Sequence, residues 1–146
     1  MNMMNATDVR KNWSMTLDSV VRDRPVYVKR THDNVAIMDL RLLHYLLGIY
    51  GYRAKLYTEP DGSVTLSAED LDLAVNAENE KAARIALAHD IKTYADDYYQ
   101  EFSLWSSAPN RRSHVPYVMK ALMQSEEEIE EEIQCQIGKR WNDQTH

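Results

Sequence analysis

The stretch that decides the fold of the first part of the chain runs from Asn5 to Asp39 and reads NATDVRKNWSMTLDSVVRDRPVYVKRTHDNVAIMD. Its apolar residues first recur at helical spacing and then alternate, which predicts an amphipathic helix followed by two short strands. Thr7 is the expected N-cap, and Asp8 would complement the helix dipole. The predicted apolar side of the helix consists of Val9, Trp13, Leu17, Val20 and Val21.

Pro25 closes the helix, and the strands are expected at Val26–Arg30 and Val35–Met38, with a turn at 32–34. Basic residues remain on the outside of this unit, near the start of the helix and at the end of the first strand. Such residues can bind DNA phosphates, although four of them are equally compatible with ordinary surface decoration. They are Arg10, Lys11, Lys29 and Arg30.

The run Ala6–Ser14, followed by Pro25–Arg30 and Val35–Met38, resembles the N-terminal domain of Phd/YefM-type antitoxins over roughly the first third of the chain. The resemblance implies a homodimer, or a higher even oligomer, that binds the operator DNA of its own operon. It also implies a C-terminal part that blocks a basic toxin of RelE type or Doc type. The candidate DNA-binding residues are Arg10, Lys11, Asn12, Ser14, Lys29 and Arg30.

Charge is distributed unevenly along the 146 residues. Residues 1–53 hold eight Lys and Arg against five Asp and Glu, a net charge of +3, whereas residues 54–146 hold nine against eighteen, a net charge of −9. This asymmetry favours an anionic partner for the first part and a basic partner for the second, although two ordinary solvated surfaces would look the same.

Several classes of protein are not indicated by the composition. No stretch approaches 18 apolar residues and no basic segment leads into an apolar run, so we expect a cytoplasmic protein without a membrane span. Cys135 is the single cysteine, which excludes an internal disulfide and a cysteine-based zinc site within one chain. We expect acidic neighbours to raise its pKa.

A leucine-rich helix is predicted after the second strand, from Asp39 to about Tyr50 with a stop at Gly51. Leucines occupy so much of its surface that little polar face remains. Two interpretations stay open: a buried core helix, or a helix packed against a second copy of the chain. The second is favoured because a small N-terminal domain cannot cover this face alone.

A second unit is predicted from Tyr52 onward. The turn Glu59–Gly62 joins two alternating runs, 54–58 and 63–67, as a β-hairpin, and 70–75 reads as a third strand. The longest helix follows over about 78–102, with an apolar stripe that includes Ile85 and Ile91. The chain is therefore predicted to be an α+β protein whose second unit is a three-stranded antiparallel sheet backed by one helix.

Two further helices are predicted near the C-terminus. One spans 115–123 with Pro116 in its first turn, and a capping box at Ser125 opens an acidic helix that runs to about Ile137 and stops at Gly138. An isoleucine seam on this helix, flanked by glutamates, is the predicted toxin-binding surface. Its residues are Glu126, Glu127, Ile129, Glu130, Ile133 and Ile137. The expected domains are 1–51, 52–105 and 106–146.

No catalytic or cofactor-binding constellation is present in the sequence. Five histidines are scattered, without the spacing of a zinc-binding helix. His89 and Asp90 share a helix with Asp96 and Asp97, but we interpret these as the solvated edge of a core stripe, because a metal site needs three or four converging ligands. An enzyme is not expected.

The sequence therefore predicts the antitoxin of a type II toxin–antitoxin system that neutralises a toxin and represses its own operon. Typical relatives follow the DNA-binding domain with a short flexible tail, whereas about ninety folded residues follow here. The role of residues 52–124 consequently stays open. A transcriptional regulator without a toxin is the alternative, and an adaptor that binds only protein is a third possibility.

Overall fold

The structure is a computed structural model, and it describes residues 2–140. The chain divides into two compact units, with the boundary between Leu46 and Leu47. Each unit mixes helices with a small sheet, so the protein is an α+β protein with two sheets. The last six residues of the predicted segment 106–146, among them His146, lie outside the described residues.

Unit 1 is built on a three-stranded sheet with strand order β1-β2-β3. The central strand pairs in parallel with β1 and antiparallel with β3, so that Val26 lies opposite Ile37. The buried residues Val9, Val20, Val26 and Val28 form its core. The elements are β1 (Met4–Asn5), α1 (Ala6–Lys11), α2 (Trp13–Arg22), β2 (Val26–Arg30), β3 (Asp33–Ile37) and α3 (Leu40–Leu46).

The predicted first helix is broken into two, which corrects the expectation of one continuous helix. Asn12, at φ −115° and ψ 38°, leaves the helical conformation and separates α1 from α2. The predicted N-cap at Thr7 is also wrong, because Asn5 Oδ1 accepts a hydrogen bond from the Thr7 amide and caps α1. Asp8 does lie in the first turn.

The predicted apolar side of this helical segment is only partly buried. Val9 and Val20 enter the core, whereas Trp13, Leu17 and Val21 are exposed, Trp13 by 50%. The leucine-rich helix behaves similarly: α3 ends at Leu46, before the predicted stop, and contains no buried residue. The interpretation of α3 as a buried core helix is therefore wrong within the described part of one chain, because its residues are exposed or half-buried there.

Unit 2 contains a four-stranded sheet with strand order β6-β5-β4-β7. The predicted hairpin is confirmed, and Gly62 adopts the positive φ of 86° that its turn requires. The third strand begins later than predicted, because a short 3₁₀ turn at Glu69–Leu71 precedes it. The strands are β4 (Tyr52–Thr58), β5 (Val64–Ala68), β6 (Leu73–Ala77) and β7 (Ile133–Ile137).

The fourth strand corrects both the predicted three-stranded sheet and the predicted C-terminal helix. The helix α7 ends at Glu132, and β7 follows at once and pairs in parallel with β4. The sequence Ile133-Gln134-Cys135-Gln136-Ile137 alternates apolar and polar residues, which is a strand pattern. The seam of Ile129, Ile133 and Ile137 on one helix is therefore wrong.

Helices cover one face of this sheet. The long helix α4 begins after Asn79, whose side chain caps the Ala82 amide. The predicted stripe is confirmed at Ala88, Ile91, Ala95 and Tyr98, which are buried, but it is wrong at Ile85, which is exposed. Ala83 and Leu87 are buried in addition. The helices are α4 (Glu80–Gln100), α5 (Phe102–Ser107), α6 (Val115–Leu122) and α7 (Glu126–Glu132).

The two local signals predicted for the C-terminal helices are confirmed. Pro116 lies in the first turn of α6, and Ser125 and Glu128 form a reciprocal capping box at α7. Both helices contribute to the same core as the sheet and α4, through Val118, Ala121 and Ile129. Among the described residues, no helix is long and apolar enough to cross a membrane.

Candidate functional site

The candidate DNA-binding residues of the helical segment surround the break between α1 and α2. Arg10 and Lys11 lie in the last turn of α1, directly before the N-terminus of α2, and Ser14 lies in the first turn of α2. All three are exposed. Arg10 and Lys11 complement the negative end of the α1 dipole while they remain available to an anion.

The N-terminus of α2 lacks a side-chain cap. Asn12 is the N-cap residue, but its Nδ2 donates to the Asp8 carbonyl oxygen at 3.1 Å, and its side chain accepts no amide of α2. The first amides of a helix carry partial positive charge and need acceptors. The positive end of α2 and the basic residues before it therefore lie at the same place, an arrangement that suits a phosphate group.

The other two basic candidates end β2. Lys29 and Arg30 are exposed, and the Arg30 Nη2 atom donates to Asp33 Oδ2 at 2.9 Å. An exposed pair of this kind stabilises a fold by only about 0–1 kcal/mol, so it can be exchanged for a phosphate at low cost.

An apolar groove lies beside Arg10. Its volume is about 540 Å³, and nearly all of its surface is hydrocarbon. Trp13 and Val35, both about half exposed, form part of its wall. A contiguous exposed apolar surface is a common feature of binding surfaces. The lining residues are Ala6, Val9, Arg10, Trp13, Val28, Val35 and Ile37.

The candidate toxin-binding residues divide into accessible and buried ones. Ile129 and Ile133 belong to the core of unit 2, and their side chains are not available to a partner. Ile137, in contrast, is 86% exposed on β7. Glu127 is exposed and Glu130 half-buried, while Glu126 Oε1 lies 2.9 Å from His89 Nδ1.

The sequence did not point to Arg84, which holds the junction between α7 and β7. Its Nη2 donates to the carbonyl oxygens of Glu130 at 3.0 Å and Ile133 at 2.8 Å, and its Nη1 lies 3.1 Å from Cys135 Sγ. Burial raises the pKa of the Cys135 thiol, and Arg84 opposes this shift. The upward direction agrees with expectation, but burial rather than acidic neighbours is the main cause.

A buried polar cluster, also missed, joins α6 to the sheet. The Lys120 ammonium lies 2.7 Å from Glu132 Oε2 and 5.0 Å from the centre of the Tyr52 ring. The Tyr52 hydroxyl donates to Gln124 Oε1 at 2.6 Å, and burial, followed by the charge of Glu132, raises the pKa of Tyr52. This hydroxyl therefore stays protonated, as a structural donor.

The histidines and aspartates of α4 do not gather into a site. Within the described part of the chain, no group of three or more His, Cys, Asp or Glu side chains could hold a metal ion. His114, which the sequence left unassigned, is buried, and its Nδ1 lies 2.6 Å from the Tyr94 hydroxyl. Burial lowers the pKa of His114, whereas the nearby Asp72 raises it.

Comparison with known proteins gives two matches. A family model, PHD-like, described as "Antitoxin of toxin-antitoxin, RelE / RelB, TA system", matches residues 1–135. A crystal structure from Syntrophomonas wolfei subsp. wolfei, of the antitoxin part of a proposed toxin/antitoxin system, is 34% identical in sequence with a TM-score of 0.89. The match covers 94% of this chain and all of that one. No curated protein matches.

Proposed function

The chain belongs to the PHD-like family of antitoxins of toxin–antitoxin systems, and we propose that it neutralises a toxin by binding it and represses its own operon by binding operator DNA. The family match over residues 1–135, which includes both units, is the observation that carries the proposal. The two activities are assigned to different units because the net charge of unit 1 is positive and that of unit 2 is negative.

Unit 1 is proposed as the DNA-binding unit. It carries seven Lys and Arg against five Asp and Glu, and its candidate residues are exposed. The uncapped start of α2, with Arg10 and Lys11 before it, supplies donors and positive charge for one phosphate. Lys29 and Arg30 would contact another part of the same DNA backbone.

A homodimer is proposed for unit 1, since operator recognition by a two-fold protein uses two half-sites. The exposed apolar residues of α2, together with the groove beside Arg10, offer a surface that a second copy would cover. Burying apolar surface stabilises an interface by about 25 cal/mol per Å² before the costs of association. Trp13 is the strongest candidate anchor because aromatic residues dominate such interfaces.

Unit 2 is proposed as the toxin-binding unit. It carries ten Lys and Arg against eighteen Asp and Glu, a net charge of −8. A basic toxin of RelE type or Doc type would be attracted to it, and the accessible glutamates of α7 would orient the encounter. The folded state of this unit also suits the alternative, a transcriptional regulator whose second unit binds something other than a toxin.

The DNA-binding part is tested with the purified chain and the DNA immediately upstream of its gene, at two salt concentrations. We expect this DNA to be preferred over scrambled DNA. The logarithm of affinity should fall with the logarithm of salt by roughly 0.9 per phosphate contact. Arg10→Ala should weaken binding without loss of folding, because the Arg10 side chain is exposed.

Arg24→Ala is the matched control, since Arg24 is also an exposed arginine of unit 1 but lies outside the candidate set. It should bind as the wild type does. Equal affinity for upstream and scrambled DNA, at both salt concentrations, would contradict the repressor function.

A further inference from the structure

The strand β7 lies at the edge of the sheet of unit 2. It is the last strand in the order β6-β5-β4-β7, and it pairs only with β4 among the described residues. The pairing is parallel, with Ala54 opposite Cys135 and Leu56 opposite Ile137. One side of β7 is therefore bonded to β4, and the other side is the outer edge of the sheet.

The register shows which residues face outward. The Gly138 amide donates to the Leu56 carbonyl oxygen at 2.8 Å, so Leu56 bonds to the neighbours of Ile137 rather than to Ile137 itself. In a parallel ladder, this places the N–H and C=O of Ile137 on the outer edge, and alternation does the same for Cys135 and Ile133. The hydrogen bond from Arg84 to the Ile133 carbonyl oxygen agrees with this assignment.

Among residues 2–140, only the first part of this edge is covered. Arg84 occupies the Ile133 carbonyl, but within residues 2–140 no hydrogen bond is made by the backbone groups of Cys135 or Ile137. The Ile137 side chain beside them is almost fully exposed. Natural proteins protect edges with proline, inward-facing charges or bulges, and this stretch has none of these.

Charge around the edge indicates the class of partner. The helix that leads into β7 has the sequence EEEIEEE, and within the described residues no cation lies in ion-pair distance of Glu127, Glu130 or Glu131. A second copy of the chain would bring its own acidic helix α7 close to that of the first, which opposes pairing of two β7 strands even though Arg84 lies at the start of each edge. A basic partner is attracted instead.

We propose that an extended, basic segment of the cognate toxin adds as a fifth strand along the outer edge of β7. Main-chain hydrogen bonds to Cys135 and Ile137 would supply affinity, and the exposed Ile137 side chain would add an apolar contact. The glutamates of α7 would make the site selective for a basic partner. This inference rests on the proposed function, since it assigns a surface to the toxin.

The test uses the full chain and the purified product of the neighbouring gene in the same operon. Ile137→Pro removes the outward N–H and places ring atoms where the added strand would lie, while the bonds to β4 are kept. We expect binding to weaken by more than tenfold. Ile137→Thr keeps the N–H and should weaken binding by less than threefold. The double variant Glu127→Gln and Glu131→Gln should lower the salt dependence of binding.

Hydrogen exchange on the wild type provides a second measurement that needs no variant. The amides of Cys135 and Ile137 should exchange rapidly in the free chain and slowly in the complex, while the amides of β6 at the opposite edge stay unchanged. A tight complex with unprotected Cys135 and Ile137 amides, and unchanged affinity of Ile137→Pro, would overturn the strand addition alone. Failure of the wild type to bind would overturn the proposed toxin-binding function as well.

Discussion

The two units of this molecule differ in how each obtains its stability. Among its described residues, unit 1 buries four hydrophobic ones, and it exposes Trp13, Leu17 and Val21 on one helix. Up to residue 140, unit 2 buries fifteen hydrophobic residues between its sheet and its helices. Small domains bury a smaller share of their surface and commonly need a partner, so unit 1 is expected to depend on a second copy, and unit 2 on its own core.

The largest expected effect concerns Ile129 and Ile137. If both lay on one face of a single helix, as the sequence predicted, they would contribute equally to stability. Ile129→Ala should destabilise unit 2 by about 3 kcal/mol, because the side chain is fully buried and its removal leaves a cavity. Ile137→Ala should change stability by less than about 0.5 kcal/mol, because its side chain is in solvent. Urea unfolding of both variants measures the difference. Equal losses would show that the isoleucines are equivalent after all.

Removal of the Lys120 ammonium should have the next largest effect. Lys120→Ala leaves Glu132 without the cation 2.7 Å away and takes the charge from above the Tyr52 ring. Since the Glu132 side chain is 36% exposed, water limits the loss to about 2 kcal/mol. Lys139→Ala, at an exposed lysine of the same unit, is the control for thermal unfolding. A melting temperature equal to that of the wild type would exclude a structural role for the ion pair.

Trp13 tests the dependence of unit 1 on a second copy. Trp13→Ser should weaken dimerisation at least tenfold, about 1.4 kcal/mol, because the indole is the largest exposed apolar group of α2. Sedimentation of the chain over a range of concentrations measures this. Tyr99→Ser, at an exposed aromatic residue of unit 2, should leave the dimer unchanged. If Trp13→Ser and Tyr99→Ser formed equally tight dimers, Trp13 would not belong to the dimer interface.

The smallest expected effect is the pH dependence from His114. Burial lowers its pKa below the ordinary value of 6.5, so the folded state favours the neutral ring and the unfolded state binds the proton more readily. The stability that this group contributes is therefore complete above pH 6.5 and declines as the pH falls below it.

The groups that face His114 are Tyr94, Asp72, Asp70 and Arg111, and the two aspartates oppose the effect. Unfolding of His114→Gln should lose the part of the slope between pH 6.5 and 5 that the wild type shows. His32→Gln, at an exposed histidine of unit 1, should keep it. Identical slopes in all three proteins would show that His114 does not contribute.

Local features of the fold could be predicted from the sequence because their causes are local. The turn at Pro60-Asp61-Gly62, the capping box at Ser125 and Pro116 in the first turn of α6 each depend on residues within a few positions. The alternation of Val26 and Val28 likewise predicts β2.

Features that depend on distant residues were not predictable in the same way. The strand β7 forms because it pairs with β4, about eighty residues earlier in the chain. The sequence hides this boundary because Ile129, Ile133 and Ile137 continue the helical spacing across it. The break at Asn12 was missed because the apolar spacing continues through it.

The candidate sites follow the same division. The exposure of Arg10 and Lys29 follows from the pattern of their own elements. Arg84 and Lys120 were missed because a charged residue in an apolar pattern has no local sign of its distant partner, here the Ile133 carbonyl and Glu132. The binding of DNA and of a toxin by the candidate residues stays a prediction.

The central claim is that unit 1 binds DNA while unit 2 binds a basic protein. A mobility-shift experiment with the upstream DNA, this chain and the product of the neighbouring gene tests it most directly. We predict that the chain shifts the DNA and that the second protein shifts this complex further, with Arg10→Ala losing the first step and Ile137→Pro only the second. Release of the DNA by the second protein, or loss of both steps in either variant, would contradict the assignment of the two partners to separate units.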